Sequence, residues 1–151
     1  EFSIERLVLD ARITNIYEGT SQMQVVAATG GVLNDILAEY FATKGKQQYR
    51  GNLSKLAENL LMIREIFEES LKYVLDKHDV QFQEVAAKEL VELYNFLYVG
   101  YLLLDEAEKD SRKVFVANRY IVNALASARK NAEAIKNEQF SDLLHADEIL
   151  I

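Results

Sequence analysis

Leu53 to Asp76 reads LSKLAENLLMIREIFEESLKYVLD, and within it Leu53, Leu56, Leu60, Ile63, Phe67, Leu71 and Val74 recur at spacings of three and four. At 3.6 residues per turn this spacing gathers the apolar side chains on one face of a long helix. The acidic run Glu65, Glu68 and Glu69 reads as its solvated face, with Glu68 and Lys72 as an i, i+4 pair. Asp79 to about Lys109 is more apolar all round, with Phe82, Val85, Leu90, Leu93, Tyr94, Leu97, Tyr98, Tyr101 and Leu104, so it is expected to be covered on more than one side. Tyr94, Tyr98 and Tyr101 fall at helical spacing and read as packing residues without chemistry. Ser111 to about Lys136 carries Val114, Phe115, Ile121, Leu125 and Ile135 among Ala117, Ala124, Ala128 and Ala132, small residues that admit a close neighbour. Long helices joined by short connections run antiparallel, so the chain is read as all-α, an up-and-down helical bundle.

Composition agrees with this. The 151 residues are half apolar, with no proline, six glycines and no cysteine. Such a chain can bury one core. Without cysteine there is no disulfide framework, thiolate metal site or thiol nucleophile, which fits a cytoplasmic or other reducing soluble compartment. No apolar run is long enough to span a bilayer, and no signal peptide pattern is present. A helix-like pattern already running by Ile4, with no initiating methionine, points to a start inside a longer polypeptide. The formal charge of −7 argues against nucleic acid as a partner. That charge is uneven: Asn52 to Lys109 holds six basic and twelve acidic residues, and Ser111 to Lys136 holds six basic and one acidic. Complementary faces of neighbouring helices are the simplest reading, and a surface for an acidic partner, for the phosphates of a ligand or for anionic lipid is the sharper one.

Towards the N-terminus, Ile4, Leu7, Val8 and Ala11 mark a short amphipathic helix that breaks near Thr14 and Asn15. A loop from Ile16 to Thr20 follows. Ser21 and Gln24 have the form of a capping box, and Val25, Val26, Val32, Leu33, Ile36, Leu37 and Phe41 continue as a helix ending near Ala42. Gly30 and Gly31 within it imply a kink or a close backbone approach. The polar stretch Thr43 to Asn52 reads as a linker, dividing the chain into residues 1–44 and 45–151. The loop is where chemistry is expected. Glu18 lies between Tyr17 and Gly19 just before a helix start, where glycine lets a ligand approach and unpaired N–H groups face it. Shielded from water, such a carboxylate would be a stronger base toward a weakly acidic C–H.

The string from Asp10 to Gln24, DARITNIYEGTSQMQ, resembles the catalytic-base loop of the acyl-CoA dehydrogenases, in which a D-A-[RK]-I stretch leads to I-Y-E-G-T and a helix. The resemblance implies that Glu18 removes the α-proton of an acyl-CoA thioester while FAD takes the β-hydride. It also implies that Tyr17 and Gly19 contact substrate and that Thr20, Ser21 and Gln22 touch FAD. Leu9 and Val25 stand where the family commonly has Arg, so contacts of those side chains are not carried over. Residues 1–44 would then be the end of the catalytic helical domain and 45–151 an accessory bundle like that of the extended family members. An electron-transfer acceptor and a homodimeric parent follow from the same resemblance, with membrane contact as a weaker implication. The fragment alone is expected to be inactive and not to retain FAD. Glu18 at this position disfavours the isovaleryl-CoA and long-chain branches, and chain length stays open.

The rival expectation is a non-catalytic oligomerisation or docking module with a vestigial loop. A metal centre is not expected. Asp142 and His145 have the i, i+3 spacing of di-iron bundles but lack the second copy that such sites need. His78, beside Lys77 and Asp79, reads as a helix-end residue.

Overall fold

In the computed structural model the described residues are Val8, Ala11, Arg12 and the run 21–140. They form six α-helices and no strand: α1 Ser21–Leu33, α2 Ala38–Gly45, α3 Asn52–Asp76, α4 Val80–Val85, α5 Ala87–Lys109 and α6 Val114–Lys136, the last preceded by a 3₁₀ turn at Ser111–Lys113. The all-α bundle is as expected. Helices α3, α5 and α6 pack on one another, α1 lies along α5, and α2 touches α3 and α5.

The α3 seam is Leu56, Leu60, Ile63, Phe67, Ser70 and Val74, and the α6 seam is Ala117, Ile121, Ala124, Ala128, Asn131 and Ile135. Both repeat at alternating intervals of four and three, the spacing that keeps two crossing helices in contact over several turns. Ser70 and Asn131 belong to this spacing although they are polar. Asn131 Nδ2 donates to Glu92 Oε2 at 2.9 Å. Ser70 is fully buried and its hydroxyl has no partner among the described residues.

Helix α5 is the centre. It buries ten residues, including Leu90, Leu93, Leu97, Gly100, Tyr101 and Leu104, because α1, α3 and α6 cover different sides of it. At Gly100 a Cβ would come within 2.4 Å of Leu60 Cδ2, so the missing side chain is what lets α3 approach. The single helix expected over Asp79 to Lys109 is broken at Ala86, which separates α4 from α5. Asp79 caps α4, its Oδ1 accepting from the N–H groups of Gln81 at 2.9 Å and Phe82 at 3.2 Å.

Three further expectations need correction. The helix from Ser21 towards Ala42 is interrupted at Asn34–Leu37 and not at the glycines. No other backbone approaches them closely either: a Cβ at Gly31 would lie 3.0 Å from a side-chain atom, Ile36 Cδ1, and one at Gly30 would meet nothing within 4 Å. Phe115, counted with the apolar series, is 80% exposed because it falls on the side of α6 opposite the seam. Glu68 pairs with Arg64 at 2.6 Å, while Lys72 pairs with Asp76 at 3.1 Å. The complementary-charge reading is met in part by Lys136–Glu69 at 3.0 Å, which joins α6 to α3, and by Lys113–Glu106, which joins the 3₁₀ turn before α6 to α5.

Chain reversals after α1, α3 and α6 place Asp35, His78 and Glu138 at φ of 45°, 51° and 51°. Asp35 and Glu138 are held there by paired 6→1 and 5→2 backbone bonds, for example Ile36 N–H to Gly31 O at 3.1 Å and Asp35 N–H to Val32 O at 3.0 Å. Glu138 also accepts from Tyr73 Oη at 3.0 Å and from Lys77 Nζ. His78 makes no side-chain bond of this kind, so its left-handed backbone is a net cost. His78→Gly is therefore predicted to raise stability by about 1 kcal/mol, or roughly 2–4 °C in Tm. Glu138→Gly should give no gain in the same melting experiment, because its ion pair is lost.

Candidate functional site

The expected site residues Tyr17, Glu18, Gly19 and Thr20 lie outside the described residues, as do Asp142 and His145. Ser21 and Gln22 are described, both exposed in the first turn of α1. Of the expected first helix, Val8, Ala11 and Arg12 are described, each helical and exposed. What can be built is the support of the loop, helix α1 and its anchorage.

Helix α1 is apolar on more than one side. Val32 is buried, and Val25, Ala28 and Leu33 pack against the core, while Met23 and Val26 are 58% and 57% exposed. Gln22, Val25, Val26, Thr29 and Leu33 form one wall of a cleft of about 520 Å³, whose other wall is Val80, Gln83, Glu84 and Ala87. The Ser21 hydroxyl and Gln22 amide carry no hydrogen bond among the described residues, which leaves donors and acceptors free at this edge.

The far end of α1 is fixed by a polar cluster. Asp35 accepts a forked pair of bonds from the Arg64 guanidinium, Nη1 to Oδ1 at 3.0 Å and Nη2 to Oδ2. Arg64 Nε donates to Glu68 Oε1 at 2.6 Å. The Tyr94 hydroxyl donates to Asp35 Oδ1 at 3.1 Å and accepts the Leu37 N–H at 2.6 Å. One phenol thus joins both sides of the turn after α1 to α5. The guanidinium carbon lies 5.3 Å from the Phe41 ring centre and 5.4 Å from that of Phe67, within cation–π range. The side chains of Arg64 and Asp35 are 16% and 18% exposed, so the charges are substantially removed from water and depend on one another. Further along, Lys44 pairs with Asp105 at 2.6 Å and Gln47 donates to Glu108 at 2.9 Å, tying the end of α2 and the chain just after it to α5.

Burial works against the charge on Arg64, yet the bonds to Asp35 and Glu68 outweigh it and its pKa is raised. Nothing in the motif reading had marked Asp35, Arg64 or Tyr94 as a group. The available signals were an arginine one residue off an apolar stripe and the Asn34-Asp35 pair, a turn signal that the continuous apolar series around it obscured.

A second cleft, of about 560 Å³, lies between α5 and α6 and is lined by Phe96, Phe115, Val116, Arg119 and Tyr120 among others. It holds no carboxylate or imidazole, so it offers no general base. Among the described residues no group of three His, Asp or Glu could hold a metal ion, and no helix is long and apolar enough to cross a membrane.

Tyr94 titrates abnormally. Burial raises its pKa, the Leu37 N–H holds it back and the Asp35 carboxylate raises it again, from 10.0 to about 12. Burial also raises Tyr101 and Tyr120. A phenol with a folded pKa above its unfolded value keeps its proton in the native state while the unfolded chain loses one. Its contribution is complete below the unfolded pKa and is lost as pH rises through the folded one. Thermal stability should accordingly fall between pH 10 and about 12. Tyr94→Phe, which cannot ionise, is predicted to show a shallower alkaline decline in melts taken across that range.

Residues 29–143 match the family model described as "Acyl-CoA dehydrogenase C terminal". No curated protein and no solved structure gives a significant match.

Proposed function

The chain belongs to the acyl-CoA dehydrogenase C-terminal family, and from that premise we propose that it is the C-terminal part of an FAD-dependent acyl-CoA dehydrogenase whose general base is Glu18. The observation that carries this reading is the agreement of two separate stretches. The base-loop string occupies residues 10–24, and the family match occupies residues 29–143, so neither contributes to the other.

In this reading the Glu18 carboxylate takes the α-proton of the acyl thioester as the β C–H bond gives up its electron pair and a hydrogen, leaving an α,β double bond. The hydride acceptor would be supplied by FAD when bound. Tyr17 and Gly19 bound the acyl group. Thr20, Ser21 and Gln22 hold the flavin edge, a role that suits the free, exposed side chains of Ser21 and Gln22 but makes this chain one wall of the site. FAD retention by the chain alone is therefore not part of the proposal, and neither is activity of the fragment. The same reading assigns residues 1–44 to the catalytic helical domain and 45–151 to an accessory bundle, with an acyl-CoA substrate, an electron-transfer acceptor and a homodimeric parent.

A docking role for the bundle is the second reading. It is favoured by exposed Phe115, Val116 and Val122 beside Arg119, Arg129 and Lys130, which have no ion-pair partner among the described residues.

Glu18→Gln in the full-length protein separates the two. It keeps the shape and removes the base, so acyl-CoA-dependent flavin reduction, followed by stopped-flow absorbance, should slow by about 10²–10⁴-fold. Reduction at the unaltered rate would remove Glu18 from this role and leave the docking reading.

A further inference from the structure

We propose that Asp35, Arg64 and Tyr94 are positioning residues that set the direction of α1 and, through it, the placement of Glu18. The inference rests on the assignment of Glu18 as base and adds a role for Arg64 and Tyr94 on the accessory bundle, acting on Asp35. Glu18 precedes the first residue of α1 by three positions, and α1 has 13 residues. At 1.5 Å per residue the helix is a rigid arm of about 20 Å. Its attachment is uneven. The fully buried residue, Val32, is near the C-terminal end, while Met23 and Val26 near the start are more than half exposed. Val25, Ala28 and Leu33 lay the arm along α5, and at the turn carrying Asp35 its end is held as well by directional bonds from α3 and α5.

The clamp has the properties of a positioning device. Arg64 reaches from α3 with a planar fork that fixes distance and angle together. Tyr94 reaches from α5 and holds Asp35 and Leu37 with one hydroxyl. The Asp35 backbone is in the left-handed region, at φ 45°, and is fixed from two helices. A rotation of about 3° at this end of a ~20 Å arm moves the other end by about 1 Å, and a misplacement of that size can cost about 10²-fold in rate.

The test uses the full-length, flavin-loaded protein and compares Arg64→Met, Tyr94→Phe, Glu18→Gln and Leu104→Ala. Leu104 is a core residue further along α5, fully buried, whose truncation lowers stability without touching the turn. Flavin content, Tm and the limiting rate of flavin reduction at saturating acyl-CoA are read for each. Arg64→Met should lower the limiting rate by about 10–10²-fold, with the KM for acyl-CoA within about threefold and flavin retained. Tyr94→Phe should lower it by a smaller factor in the same way. Leu104→Ala, assayed below its own Tm, should leave the limiting rate unchanged, and a merely structural role for the clamp would make Arg64→Met behave in the same way. If Arg64→Met fails to fold, Tyr94→Phe, which removes one oxygen, decides alone. Unchanged limiting rates in the folded clamp variants, with Glu18→Gln inactive, overturn the positioning role and leave the base intact. A fully active Glu18→Gln overturns the assignment on which both depend.

Discussion

A guanidinium removed from water between two aromatic rings needs an anion, and the anion available to Arg64 is on another part of the chain. Asp35 is separated from Arg64 in sequence by the whole of α2 and the linker that follows. Pairing them fixes where α1 must end and where α2 must begin. The arrangement is economical in groups: Phe41 and Phe67 flank the cation, Tyr94 bridges the anion to the Leu37 backbone, and Glu68 takes the remaining Nε–H. Removing one partner would strand a partly buried charge, a loss of about 2–5 kcal/mol. The N-terminal helices are therefore joined to the bundle by a directional contact as well as by apolar burial along α5.

The bundle provides the rigid floor for that contact. Its seams on α3 and α6 repeat at four and three, and small residues sit where backbones come closest: Gly100 under Leu60, and Ala117, Ala124 and Ala128 along α6. Arg64 is next to Ile63 on the α3 seam, and Tyr94 lies between Leu93 and Leu97 on α5. The two members of the clamp that α3 and α5 contribute thus emerge from backbone that the core holds in place. Side chains mounted on packed helices keep their geometry better than side chains on loops.

The long elements were legible because their apolar pattern follows the sides on which they are covered. The stripe quoted from Leu53 to Asp76 became α3, Asn52–Asp76, and the all-round apolar character of Asp79 to Lys109 corresponds to a helix covered from three sides. Periodicity failed where a single residue decides the outcome. Phe115 is apolar and sits in a helical series, yet its angular position puts it opposite the α6 seam. Ser70 and Asn131 are polar, yet their positions put them on the seams. The turn at Asn34–Leu37 was hidden because Leu33, Ile36 and Leu37 continue the apolar count across it, and the glycines nearby drew attention to the wrong turn. The clamp was illegible for a different reason. Its members are distant in sequence and belong to no motif, so only folding brings them together. For the site, Ser21 and Gln22 are exposed in the first turn of α1, whereas the identity of the family came from a string and a match that periodicity does not supply.

The functional account depends on α1 being a fixed part of the bundle, since a base carried on a freely swinging arm could not be held within catalytic distance. Amide hydrogen exchange of this chain, resolved along α1, addresses that most directly. The account predicts that amides from Val25 to Leu33 are protected together with those of α5 and lose that protection selectively in Arg64→Met, while α3 and α6 keep theirs. Free exchange of the same α1 amides in the unaltered chain, with α5 protected, would contradict it.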